Sequence, residues 1–221
     1  MSFTKSLKER SKSVWDACYN HPFVQSIGQG TLDKEIFKFY ISQDYKYLHE
    51  YAKVFALGAL KATDEQMLNN FTKFQKAVVD EINQQRNYLE SFGISIEEAD
   101  ATVPSLFNKA YTSFMMAVGY NGGILELLAA VLPCAWSYYD FGCRLKEDYK
   151  DNLENNYYKG WIEAYSSDEL YDVFSWFFPA MDKLCEGKSD GELDKIANIF
   201  KSSMEFEYLF WDMAYNKKMS Y

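Results

Sequence analysis

Apolar residues return every three or four positions along almost the whole chain, and no sustained stretch alternates apolar with polar residues as a strand would. That period predicts helices over about 4–20, 33–61, 65–92, 105–119, 121–148, 154–165, 168–186 and 190–215. The intervals between them carry the chemistry of helix ends. Thr31 or Asp33 stands where the second helix starts, and Asp64 opens the third with Glu65 and Gln66 behind it. Ser91-Phe92-Gly93 closes the third, glycine being able to take the left-handed conformation there. Asn121-Gly122-Gly123 parts two helical runs, and the polar stretch from Glu186 to Gly191 turns the chain before the last helix. No Pro-rich or Gly/Ser-rich linker and no internal repeat divides the sequence. The expectation is an all-α helical bundle forming a single domain over residues 1–221.

Three of these helices place a reactive group on an apolar stripe. In the second, Phe37, Ile41, Asp44, Leu48, Tyr51 and Phe55 follow one another at steps of four and three, which is one face of a helix with an acid at its centre. A buried carboxylate is costly unless paired or hydrogen-bonded. Asp44 is therefore either a structural acid tied to an amide or a tyrosine hydroxyl, or a functional one. In the run from Ile124 to Lys146, the stripe is Ile124, Leu127, Leu128, Val131, Cys134, Tyr138, Phe141 and Leu145. Cys134 and Tyr138 share a face one turn apart, and Pro133 removes an amide donor just before the thiol. Cysteine is often simply a core residue, so the spacing alone leaves its role open. In the last helix Glu207 shares its face with Phe210 and Trp211, whereas Glu205 projects about 200° away. An acid in apolar surroundings is expected to have a raised pKa, as a general acid needs; a structural ion pair with Lys or Arg is the competing role. The end of this helix reads as apolar on nearly every side, which predicts a central position.

Composition narrows the field. Net charge is −9, with no run of basic residues to meet a phosphate backbone, so nucleic acid is an unsuitable partner. The first twelve residues are polar and charged, and no stretch approaches 18 uninterrupted apolar residues; neither a secretory signal nor a membrane span is expected, and the expected location is the cytoplasm. Cys18, Cys134, Cys143 and Cys185 show no paired spacing and are expected as reduced thiols. His21 and His49, the two histidines, are too few for a His-rich metal cluster, and no phosphate-cradling glycine loop is present. His21, before Pro22 at a boundary, suits an axial haem ligand poorly, and no cofactor or metal is expected. Eighteen Tyr and seventeen Phe exceed what a plain helical core needs, leaving aromatic side chains for a flat ligand.

Taken in order, the segments His21-Pro22-Phe23-Val24-Gln25, Gly28-x-Gly30-Thr31-Leu32, Phe39-Tyr40-x3-Gln43-Asp44-x2-Tyr47-Leu48, Tyr111-Thr112-Ser113, Leu132-Pro133-Cys134-x-Trp136-x-Tyr138-Tyr139, Trp161-Ile162-x2-Tyr165 and Glu207-Tyr208-x-Phe210-Trp211 resemble the TenA/thiaminase II family over nearly the whole chain. The resemblance implies a haem-oxygenase-like bundle, assembled as a homotetramer, that hydrolyses aminopyrimidines. By position, Cys134 matches the family's nucleophile and Glu207 its acid/base. Asp44 matches the carboxylate on the amino edge of the pyrimidine, and Tyr47, Tyr111, Tyr138, Tyr165 and Phe210 match the aromatic lining. Cys134 places the chain in the cysteine-containing branch, for which thiamin and 4-amino-5-aminomethyl-2-methylpyrimidine are the expected substrates, in thiamin salvage.

Overall fold

Helix starts in this protein are written by short polar side chains. In the computed structural model, which describes residues 2–220, Asp33 accepts the amide of Glu35 at the start of one long helix. Asp64 does the same for Met67 at the start of the next. The ends of the expected domain, Met1 and Tyr221, lie outside the described residues. The chain is 83% helical, with no strand among the described residues. In chain order the helices are α1 (Phe3–Arg10), α2 (Lys12–Tyr19), α3 (Pro22–Gln29), α4 (Lys34–Lys61), α5 (Glu65–Ser91), α6 (Ile96–Ala101), α7 (Leu106–Asn121) and α8 (Ile124–Asp148). A 3₁₀ turn at Lys150–Asn155 follows, then α9 (Lys159–Tyr165), α10 (Asp168–Phe174), α11 (Phe177–Leu184) and α12 (Asp190–Asn216).

These elements form two compact units. One comprises the chain up to Leu32 together with Leu128–Trp211; the other comprises Asp33–Leu127 and the residues from Asp212 on. In the first unit, Trp15 of α2 packs edge-on to Trp136 and Phe141 of α8 at 5.2 and 5.8 Å between ring centres. Asp140 of α8 accepts from the Trp15 indole at 2.9 Å and from Lys8 of α1 at 2.7 Å, tying both short helices to α8. Asp182 of α11 holds α1 in turn, accepting from the Thr4 amide and hydroxyl at 2.8 and 2.7 Å. In the second unit, α4 lies along α5 and also packs on α7. Phe55 stacks on Phe74 at 4.1 Å and meets Tyr51 edge-on at 4.9 Å. Each such pair contributes about 0.5–1.5 kcal/mol beyond its area burial. Gly58 is required in this packing, because a Cβ there would lie within 2.4 Å of the buried Phe71 ring. The Gln43 amide stitches α7 to α4 by taking the Ser105 amide at 2.9 Å and donating to the Val103 carbonyl at 3.2 Å.

Several expectations are corrected. The helix expected over 4–20 is two, broken at Ser11, and the one expected over 168–186 is also two, α10 and α11. Pro22–Gln29 is an unanticipated helix: His21 caps it, Pro22 sits in its first turn, and Gly30 ends it at φ +74°. Ile96–Ala101 is a second, started by a Ser95–Glu98 capping box. Residues 154–158 do not belong to α9, since a 3₁₀ turn precedes it. The end of α12 is not enclosed on every side, because Tyr208 and Leu209 are 37% and 38% exposed. α8 has the length and composition of a membrane-crossing helix, but 67% of its most apolar window is buried inside the protein, as in a core helix.

Candidate functional site

The eight residues singled out by the sequence divide between the two units, five in the first and three in the second. In the first, α8 carries Cys134 and Tyr138. Every other member of the stripe expected on this helix is buried, whereas Cys134 is only half-buried. Pro133 lies within an unbroken helix. The turn around the thiol is braced by two serines that the sequence did not bring forward. Ser203 of α12 donates to the Ala130 carbonyl at 2.6 Å, and Ser137 donates to that of Cys134 at 3.4 Å. None of the four cysteines is in a disulfide.

Tyr138 stands at the centre of an aromatic group, with Tyr165 of α9 at 4.8 Å and Trp211 of α12 at 4.9 Å; Trp161 completes it at 4.6 Å from Tyr165. α8 and α9 come this close because position 142 is glycine: a Cβ there would sit 2.6 Å from the Tyr165 carbonyl carbon. Glu207 of α12 is 2% exposed and Phe210 is buried one turn on, while Glu205 faces solvent as its angular offset required. Burial pushes the Cys18 thiol well above its usual range, and the charge of Glu207 adds to that shift. Cys18, which donates weakly to the Met204 carbonyl at 3.7 Å, is thus a core thiol beside the acid.

In the second unit, α4 presents Asp44, which is 3% exposed and accepts from the Gln85 side-chain amide at 2.7 Å. This donor is a neutral side chain from α5, a residue that the sequence reading passed over. Tyr47, one turn further, stacks on Tyr51 at 5.3 Å and lies 5.3 Å from Tyr111 of α7, so two of the expected lining residues are brought together here. The Tyr47 hydroxyl reaches the Met115 sulfur at 3.7 Å. An open surface groove of about 380 Å³ in this unit, bordered by Glu50, Thr112, Met116 and Tyr120, contains none of the eight.

Among the described residues no group of three or more His, Cys, Asp or Glu is placed to hold a metal ion. His21 uses Nδ1 to accept the Phe23 amide and packs edge-on to Tyr208, a structural cap. His49 sits over the Tyr45 carbonyl at 2.7 Å.

Comparison with known proteins agrees with this picture. The pattern of the TENA/THI-4/PQQC family matches residues 8–217. The chain is 44% identical over 220 residues to an aminopyrimidine aminohydrolase of Halalkalibacterium halodurans, covering 99% of this chain and 98% of that protein. Among solved structures, a TenA homologue from P. horikoshii OT3 superposes with a TM-score of 0.87 at 32% identity, covering 98% of this chain and 99% of that one. A domain of unknown function from Shewanella denitrificans with a haem-oxygenase-like fold superposes with a TM-score of 0.76 at 15% identity, covering 97% and 92%; the fold is of that type.

Proposed function

Because the chain belongs to the TENA/THI-4/PQQC family and is a hydrolase, we propose that it is an aminopyrimidine aminohydrolase of the thiaminase II type. Its substrates in this reading are 4-amino-5-aminomethyl-2-methylpyrimidine and thiamin, each converted to 4-amino-5-hydroxymethyl-2-methylpyrimidine for thiamin salvage in the cytoplasm. The chain acts as one domain within a homotetramer, without cofactor or metal. The observation that carries the reading is the half-buried Cys134, next to Pro133 on the otherwise buried stripe of α8, one turn from the Tyr138–Tyr165 pair.

Aromatic carbon resists nucleophiles, so the ring has to be held and polarised before sulfur attacks. Stacking on Phe210 and the tyrosines contributes roughly 1–3 kcal/mol, as base stacking on aromatic side chains does. Asp44 accepts from the ring's amino group and sets its orientation. The Cys134 thiolate then adds to a ring carbon and interrupts aromaticity. Electrons of the adduct expel the group on the exocyclic methylene, ammonia from the aminomethyl compound or the thiazole from thiamin. Water adds to that methylene, a proton leaves, the C–S bond breaks and aromaticity returns. For the aminomethyl substrate, one water is consumed and one ammonia released. Glu207 protonates the departing amine and later takes a proton from water. An ordinary thiol is only about 3% ionised at pH 7, so the sulfur loses its proton to a carboxylate or a tyrosine-linked relay as it attacks.

The test is product formation from both compounds with wild type and Cys134→Ser. Turnover of either compound, with a loss of at least ~100-fold in the variant, is the expected result. Wild type inactive on both, or an unimpaired variant, defeats the reading.

A further inference from the structure

The buried stripe of α5 runs Phe71, Phe74, Val78, Ile82, Gln85 and Leu89, so Gln85 interrupts an apolar face much as Asp44 interrupts that of α4. The two interruptions meet. Gln85 Nε2 donates to Asp44 Oδ2 at 2.7 Å, with both residues at least 95% buried. Only one orientation of the amide is possible against a carboxylate. Turned over, Oε1 would face Oδ2, two acceptors with no proton between them. The orientation that serves Asp44 leaves Gln85 Oε1 buried with no donor among the described residues. Burying an acceptor in that state is costly, and Leu or Met on this stripe would avoid the cost. Packing therefore does not account for a glutamine at position 85; the donor to Asp44 does.

A neutral donor has a particular effect on a carboxylate. Lys or Arg in its place would neutralise Asp44 and compete with the amino group of a substrate. An amide brings no charge of its own, favours the ionised form over the neutral one by hydrogen bonding to it, and holds the carboxyl group in one rotamer. We propose that Gln85 is the positioning residue of Asp44, fixing its carboxyl group so that it accepts from an amino-substituted pyrimidine edge and disfavours a ring with an oxygen there. This rests on the reading of Asp44 as the group that meets the substrate's amino edge. A ring oxygen would bring one more acceptor against the carboxylate, whereas an amino group brings the proton it requires.

The experiment measures kcat/KM for the aminomethylpyrimidine, and affinity for the hydroxymethyl product and its 4-oxo analogue, on the full-length protein. Gln85→Met keeps the volume and removes the amide; Gln85→Asn keeps an amide but withdraws it by one methylene, and it carries the test if the first variant does not fold. The expected result is a loss of about 10- to 100-fold in kcat/KM and in product affinity, with a smaller preference for the amino over the oxo ring. Combined with Asp44→Asn, the Gln85 substitution should have little further effect. Both Gln85 variants behaving as wild type, an undiminished amino/oxo preference, or losses that add in the double variant would each overturn the proposal. Asp44→Asn retaining wild-type kcat/KM by itself defeats the underlying role of Asp44, a result separate from the behaviour of the Gln85 variants.

Discussion

Gly142→Ala isolates one close approach on which the Tyr138–Tyr165 group depends. The added Cβ would lie 2.6 Å from the Tyr165 carbonyl carbon, 2.7 Å from its oxygen and 2.9 Å from the Ser166 nitrogen. All three atoms are main chain, so no rotamer change relieves the overlap. The end of α9 must move by nearly 1 Å to restore an ordinary ~3.5 Å contact. Replacing a glycine inside α8 gains about 1 kcal/mol of helix propensity. Overpacking costs about 1–3 kcal/mol, and a contact against backbone belongs at the upper end of that range. The net is a destabilisation of about 1–2 kcal/mol, which for a chain of this size lowers Tm by about 2–8 °C. Moving the end of α9 also draws Tyr165 off Tyr138, now 4.8 Å away, so KM should rise more than kcat falls. The control is Gly191→Ala, in the first turn of α12 with nothing within 4 Å of its Cβ; there Tm should hold or rise. The assay is differential scanning fluorimetry followed by steady-state kinetics on the two variants. A Gly142→Ala protein melting at or above the wild-type temperature would show the steric argument to be wrong.

Other expectations follow from the same contacts. Burial alone would push the Asp182 carboxyl up, but the Thr4 amide and hydroxyl outweigh it and hold the carboxyl below the usual range. The native pKa being the lower one, this stabilisation is complete above about pH 4 and lost as pH falls through the depressed value. The Tm gap between wild type and Asp182→Ala, at most a few degrees in a half-exposed site, should therefore close on acidification from pH 6 to pH 3; a gap that widens contradicts the assignment. Burial raises the Cys18 thiol and brings Cys185 up to about 11, so iodoacetamide at pH 8 should spare both and label the half-buried Cys134 and Cys143 instead. Peptide mapping that finds Cys18 modified in the folded protein counts against this. Phe74→Ala removes the ring stacked on Phe55 at 4.1 Å and should cost about 3–5 kcal/mol, read by chemical denaturation; a cost under about 1 kcal/mol would mean that this cluster is not the core of its unit.

Periodicity made α4, α5, α8 and α12 legible, because a helix of seven turns repeats its apolar stripe often enough to stand out from chance. The same stripes exposed Asp44 and Glu207 as acids among apolar residues, and both are buried. The short elements were lost for the converse reason. Eight residues of α3 contain two turns, too few for a period, although His21-Pro22 and Gly30 mark its ends. The capping box of α6 was overlooked because an acidic run looks like surface whether or not it caps a helix. Nothing in the local sequence around Ser11 distinguishes one helix from two separated by a break. Gln85 was legible in principle, being a polar residue on the α5 stripe, but only tertiary structure shows that it donates to Asp44. Ser203 on the Ala130 carbonyl and Gly142 against the Tyr165 backbone are likewise set by which helices lie side by side. Residue order along a chain determines the faces of single helices. Partners across helices depend on crossing geometry, which arises only when the stripes pack.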